Sequence, residues 1–180
     1  MVPPPVGDML HHGKTLRSET VNLHYDNYLT RKYPLLYRDR HSSVQTTAMC
    51  WGFSCGNGWF NIINTLSQIL SEPYLSAKRE YECGLERGTL VPEELERRRL
   101  KMELLKENHP VAMQVKEKFG GLRFYADNVT PEMDYYIRFA EAQASNTCEV
   151  CGDRGSSRGG GWIRTLCGKH EQERLQNANR

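Results

Sequence analysis

Two periodicities divide the chain. From Trp59 onward, Trp59, Ile62, Ile63, Leu66, Ile69 and Leu70 recur at steps of three and four residues. That stripe predicts a helix with one face on a core, with Asn57 as its N-cap and a stop before Pro73. A second helix follows over 74–87, with Tyr74, Ala77, Tyr81 and Leu85 on one face and Gly88 as the stop. A third opens at Pro92 and runs to about Asn108. Glu93, Glu94 and Glu96 complement its N-terminal dipole, and its mixed charges predict a solvated surface held by i,i+4 pairs. Upstream, Leu23 to Tyr37 is partly helical in spacing. Pro34 ends that pattern near Lys32, so a short helix followed by an extended segment is expected.

Between 111 and 127 the period changes to two. Val111, Met113, Val115, Phe119, Leu122 and Phe124 alternate with Gln114, Lys116, Lys118, Arg123 and Tyr125. Gly120-Gly121 reads as the two-residue turn of a hairpin, pairing Phe119 with Leu122, Lys118 with Arg123, Glu117 with Phe124 and Lys116 with Tyr125. Thr130-Pro131-Glu132 then caps a helix carrying Met133, Tyr136, Ile137, Ala140 and Ala144. No internal repeat is visible. The pattern as a whole predicts an α+β fold, with helices packed on a small antiparallel β-hairpin or sheet over 21–145. A zinc-ribbon or knuckle-like module at 146–180 would pack on that core. Residues 1–20, with Pro3–Pro5 and two glycines, read as a flexible N-terminal arm, and the adjacent His11-His12 has no assigned role there.

Composition changes this picture in one respect. The 180 residues are 38% hydrophobic and 26% charged, which excludes a disordered chain, a collagen and a coiled-coil rod. No apolar run reaches the roughly 20 residues of a membrane span. The net charge of +2 is too small to argue for nucleic acid by itself. Three consecutive prolines and Asp8 do not suit a secretory leader, so the expectation is a cytoplasmic protein with reduced thiols. Six cysteines in a reducing compartment then need another explanation.

Spacing supplies it. Cys148-Glu-Val-Cys151 and Cys167-Gly-Lys-His170 form a C-x2-C-x15-C-x2-H pattern. Each half places two ligands on a tight turn, and two such turns complete a tetrahedron. Thiolate and imidazole in this ratio suit one structural zinc ion with no open coordination position. Metal binding would also supply the folding energy of the glycine-rich 152–161 segment, with Trp162 and Ile163 packing under the metal. Cys50 and Cys55, with His41 before and Cys83 after, could form a second site, but small buried hydrophobes beside Trp51 and Trp59 are the better reading.

Two further features bear on function. The expected hairpin gathers Lys116, Lys118, Arg123 and Tyr125 on one face, where like charges repel and a bound anion or base would relieve them. Arg154, Arg158 and Arg164 in the glycine-rich loop could add phosphate contacts. Glu117 falls on the apolar face of the hairpin, a candidate acid alongside His109 or His41. No phosphate-binding loop, G-x-S-x-G or H-E-x-x-H motif occurs.

Three blocks occur together: Met49-Cys-Trp-Gly-Phe-Ser-Cys-Gly-Asn-Gly-Trp59, Val115-Lys-Glu-Lys-Phe-Gly-Gly-Leu-Arg-Phe-Tyr125, and Gly161-Trp-Ile-Arg-Thr-Leu-Cys167 within the Cys148–His170 cluster. With Lys32-Tyr-Pro34 upstream, the chain resembles a widespread family of small uncharacterised tailed-phage and prophage proteins over roughly residues 30–175. That family's Gly-Asp-Gly-Trp turn has Asn57 here in place of Asp. The resemblance implies expression in the cytoplasm of a bacterial host. The first functional expectation is therefore a zinc-stabilised phage accessory protein acting on a host protein, of the anti-defence or host-takeover type. The alternative is a nucleic-acid or nucleotide binder using the basic, aromatic hairpin face. A nuclease or hydrolase using Glu117 comes third.

Overall fold

A computed structural model describes residues 23–159 and 161–178. The expected arm at 1–20, with His11-His12, lies outside the described residues.

Trp59 and the stripe behind it anchor the longest helix. Helix α1 spans Leu23–Lys32, and the helix opening behind Trp59, α2, spans Phe60–Arg87. Trp59, Ile63, Leu66 and Leu70 are all buried, whereas Ile69 is turned outward. The helix does not stop before Pro73. It runs through Pro73 for 28 residues and ends where Gly88 turns left-handed. Pro73 has no N–H to give to the turn before it, a loss that ordinarily breaks a helix. Here Leu66, Leu70 and Ala77, on either side of the proline, are buried and anchor both halves of the helix. Asn57 is not the α2 cap either: it opens a short 3-10 turn, Asn57–Trp59, and Trp59 precedes the helix without a side-chain cap.

Helix α3, Pro92–Glu107, returns along α2 and buries none of its residues. It is held there by surface contacts, including Arg98 donating to Glu80 O at 3.0 Å and Lys101 to the Glu80 carboxylate at 2.9 Å. Such exposed pairs contribute little each. Upstream, the segment after α1 is not extended. It continues in turns, with Tyr37 donating its N–H to Tyr33 O, and buries Tyr33, Leu36 and Tyr37.

The sheet has three strands: β1 (Phe53–Ser54), β2 (Val111–Lys118) and β3 (Gly121–Asp127). β2 and β3 form the antiparallel hairpin, and β1 adds to β2 in parallel, making the sheet mixed. The turn is Phe119-Gly120, one residue earlier than expected, with both residues at positive φ (54° and 76°). Lys118 therefore pairs with Gly121, Lys116 with Arg123 and Val115 with Phe124. Moving the turn by one residue slides the partner strand by two, an even step, so Lys116, Lys118, Arg123 and Tyr125 keep their common face. Phe119, expected on the apolar face, is instead exposed in the turn, and a bulge between Ala112 and Gln114 buries Ala112 rather than Met113. Val115, Leu122 and Phe124 point into the core. Helix α4, Pro131–Ala144, is capped by Thr130 and covers the open edge of β3, where Glu141 accepts the Phe124 N–H at 3.0 Å.

A second sheet of two strands, β4 (Ser156–Arg158) and β5 (Arg164–Leu166), and helix α5 (Gly168–Ala178) complete the chain.

Candidate metal centre and the surface beside it

The end of α4 leads directly into the first ligand turn. Cys148 donates its N–H to Asp153 O at 2.7 Å, and Gly152, at positive φ, donates back to Cys148 O at 2.9 Å. This closes a knuckle around Cys148 and Cys151. The second pair comes from the β5–α5 junction. Cys167 precedes the helix and His170 lies three residues on, which puts both on one side of its first turn.

The four ligand atoms lie within 4.8 Å of one another. Tetrahedral zinc with Zn–S of about 2.3 Å sets sulfurs about 3.8 Å apart. Cys151 Sγ and Cys167 Sγ are 3.8 Å apart, and His170 Nδ1 is 3.5 Å from Cys148 Sγ and 3.2 Å from Cys167 Sγ. The donor set and its size fit one zinc ion, with Nδ1 as the imidazole ligand. Nε2 faces Glu173 at 3.8 Å, a partner that orients the ring. The thiols differ in acidity. Burial pushes Cys151 up to about 12. Burial also opposes ionisation of Cys167, but hydrogen bonds from the His170 backbone and ring, and from Cys148 and Cys151, outweigh it and bring that thiol down to about 7. Among the described residues this is the one such cluster; Cys50, Cys55, Cys83 and His41 form none. Cys55 is buried, where desolvation raises its thiol far above the ordinary range.

The Cys3His cluster is joined to the core through Glu149, between Cys148 and Cys151. Its backbone N–H donates to Thr165 O at 2.9 Å and its carbonyl accepts from Gly58 N–H at 2.8 Å. Its buried carboxylate accepts from Gly56 N–H and from Arg164 Nε, each at 3.2 Å. Burial raises the Glu149 carboxyl, and the Arg164 charge offsets only part of that. Trp59 Nε1 donates to Thr147 O at 2.8 Å. A Cβ on Gly56 would stand 2.3 Å from Glu149 O, so both glycines of the Cys-Gly-Asn-Gly-Trp turn are required by close approach. On the other side Thr165 Oγ1 donates to Gly120 O at 2.6 Å, pinning the hairpin turn to β5. The three sequence blocks thus meet at one place.

No protein-family model, curated protein or solved structure matches this chain. What the centre can do rests on its own geometry.

The remaining candidate residues divide. Lys116, Lys118, Arg123 and Tyr125 do share the solvent face of the hairpin. Arg123 is answered by Glu141 at 3.8 Å and donates to Leu122 O. Lys116 Nζ lies 5.6 Å from the Tyr125 ring centroid, and Lys118 Nζ the same distance from that of Phe119. Arg164 is turned inward to Glu149. Arg158, its cross-strand partner, donates to Leu166 O at 3.5 Å, and Arg154 is exposed. Glu117 accepts the Gly120 N–H across the turn at 2.6 Å, the geometry of a turn clasp. His109 is buried, its Nδ1 2.8 Å from Pro110 O. Trp162 and Ile163 do not pack under the Cys3His cluster: they are 67% and 43% exposed, whereas Thr165 and Leu166 of the same strand are buried.

Sequence reasoning missed Glu149, Thr165 and Phe119. Nothing in the spacing marks Glu149, whereas the glycine punctuation of 56–58 was a signal of close backbone approach.

Proposed function

We propose that this protein is a zinc-stabilised binding module, with one structural zinc ion held by Cys148, Cys151, Cys167 and His170. The observation that supports it is the closed four-ligand cluster, tied by Glu149 and Thr165 to two separate core segments. Bound there, zinc supplies folding energy and offers no open coordination position to a substrate. The ion's work is to fix the hairpin turn and the 161–164 segment side by side. Together with the resemblance to phage proteins, this reads as an accessory protein that engages a component of a bacterial host, in an anti-defence or takeover role.

Metal analysis of purified protein tests the first part. About one equivalent of zinc, lost in Cys148→Ala, is expected. Less than about half an equivalent, unchanged by that substitution, overturns it. Capture from bacterial lysate by the zinc-loaded chain, with and without nuclease, tests the second. Recovery of a host component that the Cys148→Ala chain does not recover is expected, and equal recovery by both chains overturns the role of the braced surface.

A further inference from the structure

Phe119 occupies a position that nothing in the fold explains. It is the first residue of the hairpin turn, at φ 54°, where a side chain other than Gly, Asn or Asp is strained. It is also 75% exposed, so it contributes little to the core. A large apolar ring held in an unfavourable backbone conformation and presented to water points to a binding role.

Its surroundings narrow the ligand. Gly120, the next residue, lies against β5: a Cβ there would be 3.0 Å from Ile163 Cγ2 and 3.3 Å from the Arg164 backbone. Ile163 and its neighbour Trp162 are themselves exposed. Tyr125, 44% exposed, lies on the same hairpin face as Lys116 and Lys118. Lys116 and Lys118 form no ion pair among the described residues, in contrast to Arg97, Arg98 and Arg99 of α3, which are all paired. Exposed rings interleaved with unpaired lysines match a chain of flat bases joined by phosphates: rings stack on bases, and ammonium groups meet the backbone.

We infer that the hairpin tip and its solvent face, Phe119 and Tyr125 with Lys116 and Lys118, together with the adjoining Trp162, form a single-stranded nucleic-acid surface. This rests on the zinc-braced reading, because Thr165 and Ile163 set the second half of the surface against the turn. Two phosphate contacts on a single strand give a log–log salt slope of about −1.4, so affinity falls roughly 7-fold between about 50 and 200 mM salt.

The test is fluorescence anisotropy of zinc-loaded full chain with a labelled oligothymidylate and a labelled mixed-sequence RNA, each about a dozen nucleotides long. Binding with that salt dependence is expected, weakened about tenfold in Phe119→Gly and Trp162→Ala. Glycine suits the positive φ, so Phe119→Gly keeps or raises the melting temperature and separates lost stacking from lost folding. Lys118→Gln should make the salt slope shallower by about 0.7. Zinc-loaded protein that binds neither oligonucleotide at the lower salt, or Phe119→Gly that binds as well as the parent chain, overturns the inference. A host protein captured through Phe119 by a chain that binds no oligonucleotide overturns it in favour of a protein partner. A chain without zinc would instead overturn the reading beneath it.

Discussion

A Cβ on Gly58 would lie 2.1 Å from the carbonyl oxygen of Cys148. The backbone of the Cys-Gly-Asn-Gly-Trp turn is thus in contact with the backbone of the Cys148–Cys151 knuckle, and neither can move without the other. Gly58→Ala must displace one of them. The loss should reach the upper end of the overpacking range, about 3 kcal/mol, or roughly 10 °C in melting temperature. Calorimetry of the zinc-loaded variant, with zinc affinity by competition against a chelator, should show both falling together.

Glu149 links the same two segments through its side chain. Glu149→Ala removes the acceptor for Gly56 N–H and the carboxylate facing Arg164, and should cost about 2–4 kcal/mol. Glu149→Gln retains one acceptor oxygen and should cost less. Chemical denaturation of the three chains should rank them parent, Gln, Ala.

Pro73 lies inside α2 and removes one rung of its hydrogen-bond ladder. Pro73→Ala restores that donor in a helix that already runs through this position. The variant should gain about 1–2 kcal/mol, less than the full proline penalty because the unfolded chain also gains freedom. Thermal melts should move upward, with helical circular dichroism unchanged or slightly greater.

His109 is buried beside the Tyr74 ring, and desolvation lowers its pKa, with the nearby Arg38 charge adding to this and the Pro110 carbonyl opposing it. A lowered folded-state pKa means the unfolded chain binds the proton more readily. Stability should therefore be intact above about pH 6.5 and decline as pH falls through the folded-state value. The advantage of the parent chain over His109→Gln should narrow from pH 7.5 to about 5.5. A constant gap between the two unfolding curves would sink this assignment.

Much of the architecture was legible in local pattern. The α2 stripe, the Thr130 cap, the Gly88 stop and the alternation of 111–127 each follow from residues within a few positions of one another. The Cys3His cluster was legible for the same reason, since each pair is local and the two pairs share one chemistry. Errors arose where distant packing overruled a local preference. Pro73 is carried by Leu66, Leu70 and Ala77, and the hairpin turn moved to Phe119-Gly120 where Thr165 and Glu117 hold Gly120.

The amino-acid order by itself determined the α+β class, the two faces of the hairpin and the Cys3His donor set, because periodicity and ligand spacing act over short stretches of chain. Only the tertiary structure decided what the cluster braces. Gly58 against Cys148, Glu149 between Gly56 and Arg164, and Thr165 on Gly120 are contacts between residues 15 to 93 positions apart. Their partners are largely backbone atoms, which carry no residue-specific signature, and so no spacing rule could announce them.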